Sequence, residues 1–441
     1  MKCQRLDPGT LFSVWNEVCQ KSERGPSFSH LLGKATQVML NKFLWNRFGN
    51  GSTLHAWRQS IKTASENGHL FLVEWLHELD HLGAACAVAA LNGAAENGHL
   101  QVVEWLHHKH LGCCGPDFPR YLNARAVDGA AANGHLAVVE WLDANRNDGC
   151  TADAMDLAAS RGHLPVVEWL HANRLEGCTT NAMDGAAALG RLSVLEWLHA
   201  NRSEGCTTQA MDWAADGGHL LVLEWLHTNR FEGCTYRAMD FAAKKGCAKV
   251  VEWLHDNRSE GCTAAAISWA AANGHLELVR WLHRNRSEGC YSWAMDGAAE
   301  NGHLCVVEWL HANRSEGCST QAMDYAAGNG HLAVVEWLHA NRTEGCTYRA
   351  MDFAAKRGHF LMVEWLQNHS MRGCSPKAIG WAAANGHLAL VEWLYANRPE
   401  NCEPLAMDWA AENGHLPVVE WLHAHCSGGG TSRAMDRAAG G

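Results

Sequence analysis

The chain has 441 residues, 47% of them apolar and 19% charged, with only 9 prolines, a composition that excludes a disordered polymer and supplies a large core. Its 36 basic and 47 acidic side chains leave a net charge of −11, which argues against a general grip on nucleic-acid phosphates or anionic lipid. No stretch approaches ~18 consecutive apolar residues, and Met1-Lys2-Cys3-Gln4-Arg5 leads into Leu6-Asp7-Pro8-Gly9 without a hydrophobic signal core, so the expected location is intracellular, cytoplasmic or nuclear.

In chain order, residues 1–55 carry apolar helical patterns around Leu11-Phe12-Val14-Trp15 and from Leu31-Leu32 to Phe43-Leu44, read as an N-terminal helical cap region. A ruler then begins. Thirteen tryptophans stand in a Val/Leu-Glu-Trp-Leu context, with Arg280 in place of the glutamate once, at 75, 105, 141, 169, 197, 225, 253, 281, 309, 337, 365, 393 and 421. The first two gaps are 30 and 36 residues and the other ten are all 28. A fixed period of this size means stacked repeats, each burying its apolar face only against its neighbours, so residues 56–441 read as one array, regular from about 123 and ending in an incomplete unit.

Within the unit Thr151–Cys178, Leu164, Val167 and Leu170 fall on one helical face, which defines a helix B. The alanine-rich run Ala154-Met155-Asp156-Leu157-Ala158-Ala159 ahead of Gly162 defines a helix A closed by a left-handed glycine stop. Pro376 and Pro404 follow the lattice position of Thr151, which makes Thr151, Thr179, Thr207 and their equivalents N-caps of helix A. Pro165 and Pro417 mark the first turn of helix B, and only Asn173 to Cys178 remains to join it to the next helix A. Gly112-Cys113-Cys114-Gly115-Pro116 predicts a longer loop after the second unit, and Arg433 and Arg437 a polar outer face at the last.

The run Ala-Ala-x-x-Gly-His-Leu-x-Val-Val-x-Trp-Leu resembles the two-helix half of the ankyrin repeat over about residues 56–441. The ankyrin pattern has about 33 residues and opens helix A with Thr-Pro-Leu-His, whereas this unit has 28 and reads Ala154-Met155-Asp156. The shortening falls where the ankyrin β-hairpin finger would lie. The expected fold is therefore an all-α, ankyrin-like helical solenoid of stacked helix-turn-helix repeats, its fingers shortened or absent. A longer period overlies the first: TYRAMDFAAK occupies both 235–244 and 347–356, Ala-Ile-x-Trp recurs at 266 and 378, and Gln-Ala-Met-Asp at 209 and 321, all 112 residues apart. The block 207–318 reads as copied into 319–430.

Several columns invite chemistry and are read structurally. The tryptophans are expected to form inter-repeat core. The histidines after glycine (His163) and after Trp-Leu (His171) lie eight residues apart, not at a compact metal-ligand spacing, and are expected to serve hydrogen bonding. The cysteine ladder, Cys150 to Cys402 in steps of 28, cannot pair between neighbours stacked ~8–10 Å apart and reads as small buried turn residues. The Glu168 and Arg174 columns read as a solvated, weakly paired helix face, and the Asp156 series as local capping or bridging. None forms a catalytic constellation, so no enzyme activity, metal, cofactor or small-molecule substrate is expected.

The position after Ala-Met-Asp varies, and from 213 onward it is mostly aromatic. By the resemblance, helix A lines the concave face where partners dock. The candidate protein-binding residues are Trp213, Phe241, Trp269, Tyr325, Phe353, Trp381 and Trp409, with Tyr236, Arg237, Tyr348 and Arg349 beside them. The alternative is that these rings only fill gaps between A helices. The expected function is a monomeric, non-enzymatic scaffold for a protein or peptide partner, with no nucleic acid and no membrane. The matching Tyr-Arg-Phe groups would form two equivalent subsites for a partner carrying two copies of one motif. A spacer rod is the alternative, and a metal or enzymatic protein using the His/Cys columns a further one.

Overall fold

A computed structural model describes residues 52–79, 84–111, 121–146, 149–369, 373–398 and 405–426. The proposed cap over residues 1–55 lies outside these except for its last four residues, and the loop at 112–116, Pro404, Arg433 and Arg437 lie outside them as well. Among the described residues every regular element is helical and there is no strand. The chain divides into two compact units, Met1–Ala158 with His163–Gly177, and Ala159–Gly162 with Cys178–Gly441.

In the first unit the helix pairs are Ser52–Glu66 with Leu70–Leu79, Ala84–Glu96 with Leu100–Leu106, Tyr121–Ala132 with Leu136–Asn145, and Leu164–Asn173 preceded by most of Ala152–Arg161. A π-helical turn, His107–Leu111, extends the second B helix. In the second unit the A helices are Thr180–Ala188, Thr208–Asp216, Tyr236–Lys245, Ala264–Ala272, Trp293–Glu300, Thr320–Gly328, Tyr348–Lys356, Lys377–Ala384 and Leu405–Glu412. Its B helices are Leu192–Asn201, Leu220–Asn229, Ala248–Asn257, Leu276–Asn285, Leu304–Asn313, Leu332–Asn341, Phe360–His369, Leu388–Asn397 and Leu416–His425. The expected two helices per 28 residues are present, and among the described residues no finger intervenes.

The second unit shows why this sequence stacks. Ala266, Ala270 and Ala271 are fully buried, and their lack of bulk lets each A helix meet its neighbours along its length, while successive B helices touch only sparsely. Each B helix instead buries Val250, Val251 and Leu254, or their equivalents, except that Val419 of the last is half-buried. The buried face is centred on Val166, Val167 and Leu170, with Leu164 at its margin. Gly162 has φ +89°, the left-handed stop expected of it. Gly302 is constrained twice, by φ +78° and by the ring of His331, which would lie 2.6 Å from an added Cβ.

The N-caps fall where the prolines placed them. Thr207 Oγ1 accepts from Gln209 N at 3.1 Å and Thr235 Oγ1 from Arg237 N at 3.2 Å. Ser375 takes the same role ahead of Pro376, accepting from Lys377 N at 3.2 Å. Pro165 and Pro417 occupy the first turn of their B helices.

Candidate protein-binding site

Two surfaces cover each repeat, and the columns sort onto them differently. On the helix B and turn side, the column tryptophans from 105 to 421 depart from expectation: they are half-buried, not core. The indole lies at the margin of the B helix, beside the deeper leucine, and the histidine after Trp-Leu in the preceding repeat closes over it. His227 meets Trp253 edge to face at 5.4 Å and 88°, and His255 meets Trp281 at 5.3 Å and 89°. These contacts span the gap left between sparsely touching B helices.

The arginine column also differs from a solvated face. Arg174 Nη2 reaches Glu176 in its own turn at 2.7 Å and Nη1 reaches Asp143 at 2.8 Å, all within the first unit. In the second unit Arg202, Arg230, Arg258, Arg286, Arg314 and Arg342 pair with Glu204, Glu232, Glu260, Glu288, Glu316 and Glu344. Three-quarters or more of each of these arginines is shielded, and Arg258 Nη1 lies 3.4 Å from His227 Nδ1 of the repeat before. The Glu168 series, by contrast, remains exposed. Burial works to raise the Glu316 carboxyl, but hydrogen bonds from Arg314 and from the Cys290 amide outweigh it and hold the group down at about 2.

The ladder cysteines sit beneath this network. Cys206, Cys234, Cys262 and Cys346 are buried, and the ladder members among the described residues are free thiols. Burial pushes Cys206 up to about 11 and Cys234 up to about 12, which removes thiolate reactivity near neutrality. Cys402 lies outside the described residues. One cysteine off the ladder does pair: Cys426, at the lattice position held elsewhere by arginine, is disulfide-bonded. The histidines after glycine lie against the left-handed glycine of the preceding repeat, and burial pulls His303 and His359 below the ordinary imidazole range. Among the described residues no group of three or more His, Cys, Asp or Glu side chains could hold a metal, and no helix is long and apolar enough to cross a membrane.

The aspartate of Ala-Met-Asp bridges repeats. Thr207 donates to Asp184 from its amide at 2.8 Å and from its hydroxyl at 2.7 Å. Asp240 receives the same pair of bonds from Thr263, and Asp352 from Ser375. Each partner is 23 residues ahead, in the next repeat, so the bridging is not local to one repeat as expected. The exceptions are matched: where the cap position is Tyr291 the aspartate is replaced by Ser268, which accepts from Tyr291 N at 2.8 Å. Where the cap position is Glu403, it is Gly380.

On the helix A side the predicted aromatics do come together. Phe241 stacks on Trp269 at 5.9 Å and 24°, and Tyr325, Phe353 and Trp381 form a continuous stack with centroids 6.0 and 6.1 Å apart. Gly328 admits the Phe353 side chain and Gly380 the Trp409 ring, since an added Cβ would lie 2.7 or 2.6 Å from them. Trp213 is exposed, the other six rings are half-buried, and Tyr236, Arg237, Tyr348 and Arg349 are exposed. Lys244 and Lys356 were not singled out from sequence, although both close the duplicated TYRAMDFAAK run. Their ammonium groups lie 5.6 Å over Trp269 and 5.8 Å over Trp381.

Sequence models of ankyrin repeats match residues 127–171, 239–283 and 295–339 (many copies) and 351–434 (three copies). The chain belongs to the ankyrin-repeat proteins. Its 28-residue repeats keep the ankyrin helix pair, and a scaffold for protein interaction is the general role of such arrays. No curated protein sequence matches the array significantly. Among solved structures it is similar to the pentatricopeptide repeat protein PPR10 from maize, at 10% identity over 98% of this chain and 73% of that one. The TM-score of 0.33 is too low to support an argument from that likeness.

Proposed function

We propose that this ankyrin array is a non-enzymatic scaffold that holds a segment of a partner protein along its helix A side, the concave side of an ankyrin stack, acting as an intracellular monomer. The observation that carries this reading is the contrast in variability. Most repeats spend the same residues on caps, turns and the Trp-His contacts, while the helix A surface changes from repeat to repeat and carries exposed Trp213, Tyr236 and Tyr348. Rigid aromatics with arginine beside them supply most of the energy at interfaces.

A spacer rod is favoured by one observation, the stacking of Phe241 on Trp269 and of Phe353 between Tyr325 and Trp381, because rings that satisfy one another need no partner. Affinity capture from cell extract with the intact array and with a Phe241→Ala/Phe353→Ala variant separates the two. The scaffold reading expects a protein retained by the first and lost from the second at unchanged helicity. Identical recovery from both would favour the rod.

A further inference from the structure

The basic side chains of the second unit fall into two classes. Those of the turns from Arg202 to Arg342 are paired with glutamate, as described above. Those of the helix A side are not: Arg237, Lys244 and Lys245 on one repeat, and Arg349, Lys356 and Arg357 four repeats later, are all exposed, and none makes an ion pair with another described residue. Arg357 donates only to the Gly328 carbonyl, at 3.2 Å. In a chain of net charge −11, Arg237, Lys244 and Lys245 on one helix, and Arg349 and Lys356 on the other with Arg357 just past its end, form local positive fields that attract acidic groups.

The duplication supplies an independent observation. The two copies of 235–244 and 347–356 are identical at all ten positions, whereas the adjoining stretches 245–256 and 357–368 differ at seven of twelve, including Ala248 against Phe360 and Lys249 against Leu361. The first of those seven differences exchanges Lys245 for Arg357 and keeps the charge. Block copying alone would let both stretches diverge alike. Retention centres on the helix that bears the cations.

The geometry also indicates what approaches. Here Phe241 covers one side of Trp269 while Lys244 stands over that ring, and Phe353 and Lys356 do the same at Trp381. The ammonium groups of Lys244 and Lys356 over these rings, with exposed Arg237 and Arg349 on the same two helices, suit carboxylates accompanied by an apolar side chain.

Building on the scaffold reading, we propose that the helix A side of the second unit holds two equivalent subsites, one on Arg237, Lys244 and Trp269 and the other on Arg349, Lys356 and Trp381. They take two acidic peptide segments of one partner chain, each carrying an apolar or aromatic residue between its carboxylates. Four repeats at ~8–10 Å each place the subsites roughly 32–40 Å apart. A flexible linker of about 40 residues has a matching mean span, so the second segment binds at raised effective concentration.

The test uses the full chain and a fluorescein-labelled peptide with two Asp-Glu-Phe-Asp-Glu segments joined by a Gly-Ser linker of about 40 residues, compared by anisotropy with the one-segment peptide. The two-segment probe is expected to bind at least about tenfold more tightly, with affinity falling as salt rises. Lys244→Glu is expected to reduce it to the one-segment level, and Lys244→Glu with Lys356→Glu to abolish it, with helicity unchanged because both side chains are exposed. Equal affinity for the two probes, or binding that survives the double charge reversal, overturns the proposal. So does a labelled oligouridine that binds more tightly and is lost in the same variants. Loss of the captured partner on Phe241→Ala/Phe353→Ala with no effect of the charge reversals would leave the scaffold reading standing and remove only the acidic subsites.

Discussion

Within the second unit, the helix B and turn side and the helix A side use the same residue types to opposite ends. On the first, each turn arginine from 202 to 342 is bound to a glutamate two residues on, and each tryptophan from 225 to 365 meets the preceding repeat's histidine. On the second, arginines and lysines lack carboxylates and the rings differ from repeat to repeat. The difference teaches that a column repeated without change marks what every interface between repeats must satisfy. A position free to vary marks what the stack can offer outward.

That division is sharpened first by the largest expected effect. Leu254, 1% exposed, lies deeper than Trp253 beside it. Leu254→Ala is expected to cost about 2–5 kcal/mol, and Trp253→Ala less, whereas Lys244→Ala should stay within about 0.5 kcal/mol. Urea midpoints of the three variants give the order. If Trp253→Ala proved the most damaging, the indole would be core after all.

The Asp-to-cap bridge comes next. Asp240→Ala strips the Thr263 amide and hydroxyl of their acceptor in a buried place and is expected to cost about 1–3 kcal/mol. Burial raises the Asp240 carboxyl above the ordinary range despite those hydrogen bonds, so the charge itself adds little. Asp240→Asn, which keeps one acceptor oxygen, should cost less than Asp240→Ala. Equal losses would show that charge, and not acceptor geometry, links the repeats.

A smaller effect tests the turn network. The Glu316 carboxyl lies at about 2 in the folded chain against an ordinary 4.5. Its contribution is therefore complete above pH 4.5 and fades as pH falls toward 2, since the unfolded chain takes up that proton first. Glu316→Gln should lower the urea midpoint at pH 7 and lose most of that difference at pH 3. A difference independent of pH would mean that Arg314 draws its support elsewhere.

The fold was legible because the period, the prolines at 165, 376 and 417, and the glycine stops are local signals with one geometric meaning each. Depth was not. Trp169 and Leu170 are adjacent and both apolar, and only the packing of B helices decides which is covered. The pairing of arginine with a turn glutamate, and of Asp184 with a threonine 23 residues on, depends on how repeats stack, although the joint loss of aspartate and cap hydroxyl at 268/291 and 380/403 was present as a pattern in the letters. At the candidate site the aromatics were visible. Lys244 and Lys356 were passed over because each lies a full helical turn from the ring of its own repeat and reaches that of the next.

The central claim, that the helix A side binds while the helix B and turn side holds the stack, is tested most directly by the affinity of the two-segment acidic peptide for two double variants, Phe241→Ala/Phe353→Ala and His227→Ala/His339→Ala. Each is measured at a temperature where both remain helical. The account predicts that the first loses at least about tenfold in affinity and that the second, although less stable, keeps the affinity of the parent chain. Unchanged affinity in the first together with a loss in the second would contradict it.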